Sequence, residues 1–343
     1  MVSGESELPT QDVVALGGRV AWAPVDATDD PAALDSAGWW LAVVPFDGTP
    51  KFVRFAEVRS GIAAPAPSRP WNGPHPDAWT SSLDRDDHAK CVRAIRDAIA
   101  EGDVYQVNLT RVLRAPLPDD ASMLALGAHL ARGNPARHAA VIELPSLDLR
   151  IASASPELFL SRDGRTVRSA PIKGTSEPDA GFTAKDAAEN VMIVDLVRND
   201  LGRVCTPGSV TVPALLATEQ HPGLDHLVST VEGELRDGLG WADLLAATFP
   251  AGSISGAPKI AALDHIEMLE PVSRSIYCGA IGWVDADRRV GELNVAIRTF
   301  WVDGDHLCFG TGGAITWDSD PDDEWRETEL KAARLLAIAS TRG

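Results

Sequence analysis

The sequence predicts an α+β fold built on antiparallel sheets. Three observations carry that expectation. Short β-branched and aromatic segments come in runs, rather than alternating strictly with helices as a parallel βαβ sheet demands. Neighbouring segments are joined by tight turn signals such as Asp163-Gly164 and Asp303-Gly304-Asp305. The chain is 343 residues long, 45% hydrophobic and 23% charged, which suits one large or two ordinary domains with a real core.

Segments 13–24, 39–45 and 51–58 read as strands, being short, apolar and bounded by Gly, Asp and Pro. Residues 65–76 carry Pro65, Pro67, Pro70, Pro74 and Pro76, so that segment holds neither a ladder nor a helix and reads as an extended connector. It divides a short β-rich N-terminal part, 1–76, from the main body, 77–343. In 82–101, Val92, Ile95 and Ile99 repeat at helical spacing and Gly102 stops the helix. A strand over 104–113, a helix over 122–132 and strands over 139–144 and 149–153 follow. Residues 157–169 form a hairpin with Asp163-Gly164 at its tip. A helix over 185–201 is closed by Gly202, and two more cover 241–248 and 259–269. Segments 276–284, 292–302 and 306–317 form a meander, and a last helix runs from Pro321 through Leu336.

The formal net charge is −18 and the isoelectric point about 4.8. Such a field repels a phosphate polyanion, which argues against nucleic acid as a partner. A small anionic substrate would need a local positive patch or a metal. Cys91, Cys205, Cys278 and Cys308 form no CxxC pair, so neither a zinc site nor a disulfide framework is expected. The first twelve residues lack a basic start and an apolar core, and no run reaches the ~18 apolar residues that span a bilayer. The expectation is a cytoplasmic protein with reduced thiols and no membrane partner.

Several residues invite a chemical reading and a bland one. Asp186 and Glu189, and likewise Glu324 and Glu327, lie three apart on predicted helices and share a face. Two such pairs facing each other would hold a hard divalent ion; otherwise they are solvated acidic faces. Mg²⁺ suits them better than Zn²⁺, since no His or Cys accompanies them. Arg298, inside the apolar run Val295-Ala296-Ile297-Arg298-Thr299, either meets an anion or snorkels from a sheet edge. Gly310-Thr311-Gly312-Gly313 and Gly252-Ser253-Ile254-Ser255-Gly256 are ligand-approach loops or plain turns. Glu157 in Ser155-Pro156-Glu157 and Lys173 in Pro171-Ile172-Lys173-Gly174-Thr175 flank the hairpin. Regular pairing sets Glu157 opposite Ala170 and Lys173 on the other face, unless Pro171 ends the ladder and frees the lysine. A buried Glu157 would serve as a general acid and a buried Lys173 as a nucleophile; ordinary hairpin polarity is the alternative. His226 is read as a structural histidine on the same grounds.

Those motifs, together with Tyr105-Gln106-Val107-Asn108-Leu109-Thr110-Arg111, the helix Glu189-Asn190-Val191-Met192-Ile193-Val194-Asp195-Leu196-Val197-Arg198-Asn199-Asp200, His226-Leu227-Val228-Ser229, Ser255-Gly256-Ala257-Pro258-Lys259, Ala296-Ile297-Arg298-Thr299 and Asp318-Ser319-Asp320, resemble the chorismate-utilising enzymes. The likeness runs in order from about Ser82 to the C-terminus. It implies antiparallel sheets packed as a sandwich with helices outside, and a chorismate-binding catalytic region over 77–343. It implies Mg²⁺ on Glu189 and Glu327, supported by Asp186 and Glu324. Asp186 is a shorter acid than the usual glutamate, and Ala314 stands where relatives carry a third glycine. The likeness also implies substrate contacts at Tyr277, Arg298, Gly174, Thr175, Gly312, Gly313, Gln106 and His226.

Two positions bear on the reaction the resemblance implies. Gln106 replaces the lysine of relatives that add water, which disfavours isochorismate and salicylate synthesis. Lys173 stands where anthranilate synthases have alanine and aminodeoxychorismate synthases have lysine. The implied reaction is amination of chorismate to 4-amino-4-deoxychorismate, towards p-aminobenzoate and folate, with Lys173 as nucleophile and Glu157 as acid. No glutaminase motif is present, so ammonia from a separate glutaminase subunit is implied. The alternatives are an anthranilate synthase component I and a non-catalytic chorismate-binding subunit.

Overall fold

The computed structural model describes residues 8–118, 121–176, 181–221 and 224–341. Along them lie β1 (Val13–Leu16), β2 (Arg19–Thr28), β3 (Trp39–Val44), β4 (Lys51–Ser60), β5 (Thr80–Ser81), α1 (Arg85–Glu101), β6 (Gln106–Pro116), α2 (Met123–Gly133), β7 (Ala140–Leu144), β8 (Leu149–Ser153), β9 (Leu158–Asp163), β10 (Thr166–Ala170) and β11 (Ile172–Ser176). They continue as α3 (Ala184–Gly202), β12 (Thr211–His221), β13 (Leu224–Glu234), α4 (Trp241–Thr248), β14 (Gly256–Ala257), α5 (Lys259–Leu269), β15 (Ala280–Asp285), β16 (Val290–Val295), β17 (Thr299–Asp303), β18 (His306–Ile315) and α6 (Pro321–Ala339).

The described strand pairs are antiparallel and form one folded ribbon. One arm runs β13–β10–β9–β16–β15–β3–β4, with β11 and β12 both on β13. The other runs β2–β1–β7–β8–β17–β18–β6. The arms join at β2–β4, where the register shifts between Pro24 and Asp26 and Ala23 takes a left-handed φ of 57°. Such a bulge bends a strand sharply. The arms then face each other over one core, in which Leu41, Ile281 and Leu293 of the first meet Ile142, Ile151 and Trp301 of the second. This is the expected sandwich. Helices cover its outside: α2 and α6 pack on β8, β17 and β18, and α1 and α5 on β6.

Local chemistry sets the helix ends. Asp84 accepts from Asp87 N–H at the start of α1, and Gly102 closes it at φ 86°. Thr183 and Asp186 form a capping box on α3. Buried Glu143 of β7 accepts from Met123 N–H at the start of α2.

The sequence-based expectation differs in four places. Segment 13–24 is two strands, turned at Gly17-Gly18. The strand expected over 276–284 begins only at Ala280. Segment 292–302 is broken at Ala296–Arg298, where the chain passes from one arm to the other. Strands β12 and β13 were not expected, because Pro213 interrupts the first and its pairing shifts register twice. The N-terminal part, of which residues 1–7 lie outside the described residues, contributes β1 to β4 to the common core.

One buried group between α1 and α6 carries a pH prediction. His88 lies edge-on to Trp325 at 5.5 Å, and neither ring nitrogen has a partner. Burial, with the nearby Arg111 charge, lowers its pKa from 6.5 to about 4. Between those values the unfolded chain binds a proton that the folded chain refuses. The His88 contribution is therefore full above pH 6.5 and lost as pH falls through 4, a loss of about 3 kcal/mol. Urea unfolding across that window should show a shallower pH slope in His88→Phe than in the parent.

Candidate active site

The two arms meet where two strands cross between them side by side. β8 leaves through Ala154–Pro156 to become β9, and β16 leaves through Ala296–Arg298 to become β17. Ala154 N–H donates to Arg298 C=O at 3.0 Å, and Val295 N–H to Glu157 C=O at 3.0 Å. The Ser155 hydroxyl donates to Val295 C=O at 2.6 Å. Arg298 is therefore not a strand residue, as the apolar run implied. It is a corner residue with φ 52°, a conformation an L-residue holds only when its surroundings fix it. The corner brings Arg298 into the field of Glu157.

Glu157 is buried, and burial pushes its carboxyl pKa up despite the pull of Lys173. Behind it lies a cavity of about 10 Å³, lined by Leu160, Pro171, Asp200 and Ser253 among others. The β9–β10 ladder ends at Leu158↔Ala170 after a shift between Arg168 and Ala170, so Glu157 does not face Ala170 as regular pairing would have it. Beyond Pro171 the chain pairs only with β13. That release frees Lys173, whose Nζ donates to Ser253 C=O at 3.0 Å. Burial lowers the Lys173 pKa, opposed by Glu189 and Glu157. The acid is thus biased towards its protonated form and the lysine towards free amine, the forms that proton donation and nucleophilic attack require.

Gly174 has φ 88°, and a Cβ there would lie 3.0 Å from Asp186 Cβ, so only glycine lets β11 sit this close to α3. Thr175 pairs through its backbone with His226, and its side chain lies outside the described residues. His226 is buried in β13. The α3 helix is fixed to β13 by buried Asn190, which donates to Leu227 C=O and accepts from the Ser229 hydroxyl. It is fixed to α5 by Lys259, whose Nζ reaches Asp200 at 2.6 Å and the carbonyls of Thr248 and Pro250.

β6 and β18 form the opposite wall. Gln106 is fully buried, and neither amide atom has a partner. A buried amide left unpaired is costly, so it marks a place for water or a ligand. Gly312 and Gly313 lie in an unbroken β18–β6 ladder that continues through Ala314, opposite Asn108. The Ala314 methyl leaves the register unchanged. Tyr277 lies flat on Gly310, where a Cβ would fall 2.0 Å from the ring. Buried Arg274 clamps this wall: it grips Glu270 twice and donates to Ile254 C=O at 2.9 Å and Asn108 C=O at 2.8 Å. Glu270 in turn accepts from Thr110 N–H at 2.8 Å. Sequence reasoning missed this clamp, although the i,i+4 spacing of Glu270 and Arg274 was a visible signal.

The expected metal-holding acids are brought only partly together. Glu189 of α3 and Glu324 of α6 flank the Lys185 ammonium at 3.9 and 3.8 Å. Glu327 pairs with Lys331 at 2.6 Å. A Cβ on Gly313 would lie 3.3 Å from Glu324 Oε2 and 3.6 Å from Glu327 Oε1. Asp186 instead caps its own helix, its carboxylate accepting from Thr183 N–H and Oγ1–H. Burial pushes the Glu189 and Glu324 carboxyls up; at Glu327 burial also pushes up, but the charges of Lys331, Lys185 and Lys173 together outweigh it and the pKa is lowered. Among the described residues, no group of three or more His, Cys, Asp or Glu is close enough to hold a metal ion. The donors nonetheless fit a hard divalent cation, being oxygen only, and Lys185 shows that a positive charge is accommodated between two of them.

The fold is that of the chorismate-utilising enzymes. Anthranilate synthase component I from Streptococcus pneumoniae superposes with a TM-score of 0.81 at 24% identity, covering 98% of this chain and 95% of that one. The menaquinone-specific isochorismate synthase MenF from Escherichia coli gives 0.78 at 16% identity, covering 97% and 90%. The chain belongs to the chorismate binding enzyme family, whose model matches residues 35–337. Aminodeoxychorismate synthase component 1 of Salmonella typhimurium is 39% identical over 271 residues, 76% of this chain and 59% of that protein. Anthranilate synthase component 1 of Streptomyces coelicolor is 40% identical over 270 residues, 75% and 52% respectively. These alignments thus span between half and three-fifths of those relatives. No helix among the described residues is long and apolar enough to cross a membrane.

Proposed function

We propose that this chain is the chorismate-aminating component of an aminodeoxychorismate synthase. The observation that carries the reading is that Lys173 and buried Glu157 converge on Ser253, whose carbonyl accepts from Lys173 Nζ at 3.0 Å and which lines one cavity with Glu157, with burial raising the pKa of the acid and lowering that of the lysine. An anthranilate synthase reading leaves Lys173 without a task, and the near-equal identities to both kinds of relative do not choose between them.

In the proposed reaction the Lys173 amine attacks C2 of chorismate. Both ring double bonds shift, C1=C2 to C1=C6 and C5=C6 to C4=C5, and the C4 hydroxyl leaves as water with the proton of Glu157. Ammonia then bonds to C4, both double bonds shift back, and the C2–N bond breaks. The ammonium so formed gives its extra proton back to Glu157 by way of the departing lysine. Arg298 and Tyr277 hold the carboxylate-bearing side arm, and Gln106 supplies an amide that cannot act as a base for water. Gly174, Thr175 and His226 shape the pocket beside the lysine, and bare Gly312 and Gly313 let the ring approach β18. Mg²⁺, held by Glu189 and Glu327 with Glu324 behind them, would neutralise the ring carboxylate. Asp186 serves this site through the α3 cap.

Ammonia comes from a separate glutaminase component. Cys91, Cys205, Cys278 and Cys308 are buried, and burial raises each thiol pKa, so none is primed to attack glutamine. The test is product analysis after incubation with chorismate, Mg²⁺ and ammonium. A non-fluorescent 4-amino product that retains the enolpyruvyl arm is expected. Fluorescent anthranilate with released pyruvate would make the chain an anthranilate synthase, and chorismate binding without turnover would leave a non-catalytic subunit.

A further inference from the structure

We propose that Lys185 is a tethered counter-ion of the candidate metal site, its ammonium standing between the carboxylates of Glu189 and Glu324 until a divalent cation displaces it. The inference rests on reading Glu189 and Glu327 as metal-holding residues.

Lys185 is the second residue of α3. A helix N-terminus presents unpaired N–H groups and the positive end of the dipole, so an ammonium there is locally unfavourable. Two partners offset that penalty. One is Glu189, a turn further along the same helix, at 3.9 Å. The other is Glu324 on α6, at 3.8 Å, a carboxylate already buried and accepting from the Ser319 hydroxyl. The Lys185 charge also reaches Glu327. Lys185 therefore links acids on two helices, sharing their neutralisation with Lys331 on Glu327 and Lys173 beside Glu189.

The form of these contacts distinguishes a displaceable ion from a structural one. Both distances exceed hydrogen-bond length, and half of the Lys185 side chain is in solvent. The ammonium can swing out without breaking a hydrogen bond. Lys259 is the contrast: its Nζ lies within 2.9 Å of three oxygens and is locked.

The test is Mn²⁺ binding, read from the EPR signal of free Mn²⁺, on the intact chain without substrate. Lys185→Met is expected to bind Mn²⁺ about tenfold more tightly than the parent, the size set by removing one partly solvated ammonium from the site. Lys185→Arg is expected to stay close to the parent. In EDTA the thermal midpoint of Lys185→Met should fall at low salt and recover at high salt, where screening relieves the unbalanced carboxylates. Equal or weaker Mn²⁺ binding by Lys185→Met overturns the counter-ion role and leaves the metal site standing. Absence of Mn²⁺ binding in both proteins, or binding indifferent to Glu189→Gln and Glu327→Gln, overturns the metal reading and the inference with it.

Discussion

Lys173→Ala is expected to lower amination of chorismate on the order of 10³-fold or more while leaving ligand binding nearly intact. The reasoning starts from position. Pro171 ends the β9–β10 ladder, β11 continues on β13 alone, and the amine reaches Ser253 C=O at 3.0 Å inside the pocket. Alanine removes the nucleophile and its bond to Ser253 C=O but keeps the strand, since β11 pairs with β13 through the backbone at Ile172, Thr175 and Ser176. Steady-state turnover with ammonium, together with chorismate binding by calorimetry, separates the two effects. Starving the parent of ammonium should trap an adduct on Lys173 with the mass of chorismate less one water. The pH profile should be bell-shaped as well. Burial depresses the Lys173 pKa, so the rate rises with pH as the amine sheds its proton, and it falls again as Glu157, raised by burial, loses the proton it must donate. Undiminished 4-amino product from Lys173→Ala would eliminate the covalent route.

The pieces of this site were legible in the sequence to different degrees. Helices α4 and α5 match the expected 241–248 and 259–269, because their apolar spacing and Gly or Pro boundaries are local signals. The motif residues were visible for the same reason. What the sequence did not yield was the reason they converge. Arg298 looked like a strand residue because Val295-Ala296-Ile297 is apolar; the left-handed turn at φ 52° is imposed by the crossing of two strands 140 residues apart, as the Ser155–Val295 bond shows. Strands β12 and β13 escaped because Pro213 and a register-shifted ladder break the period-two pattern on which a strand is recognised. Asp186 looked like a metal-facing partner of Glu189 because i,i+3 spacing shares a face; the competing N-cap role was equally local, in Thr183-x-x-Asp186, and it won.

Arg274→Met is expected to destabilise the fold by about 3–5 kcal/mol, the range for breaking a buried ion pair by removing one partner. The loss should exceed that of any single surface pair in the chain. Arg274 is buried over the Phe46 ring at 4.4 Å, and its guanidinium satisfies Glu270, Ile254 C=O and Asn108 C=O together. Methionine fills the volume but leaves a buried carboxylate and two carbonyls without their donor. Glu270→Leu in the same protein should recover part of the loss, because the stranded charge goes. Recovery stays incomplete, since Thr110 N–H then loses its acceptor. Urea unfolding of the parent, both single variants and the pair measures this as a double-mutant cycle. The same substitution should reach the chemistry. Ile254 adjoins Ser253, the acceptor for Lys173, and Asn108 lies two residues from Gln106 on the opposite wall. Arg274 is thus the brace that keeps both walls at one spacing, and at temperatures where Arg274→Met remains folded its kcat should fall more than its chorismate affinity. A variant as stable as the parent, with unchanged kcat, would show that the pocket keeps its shape without the brace.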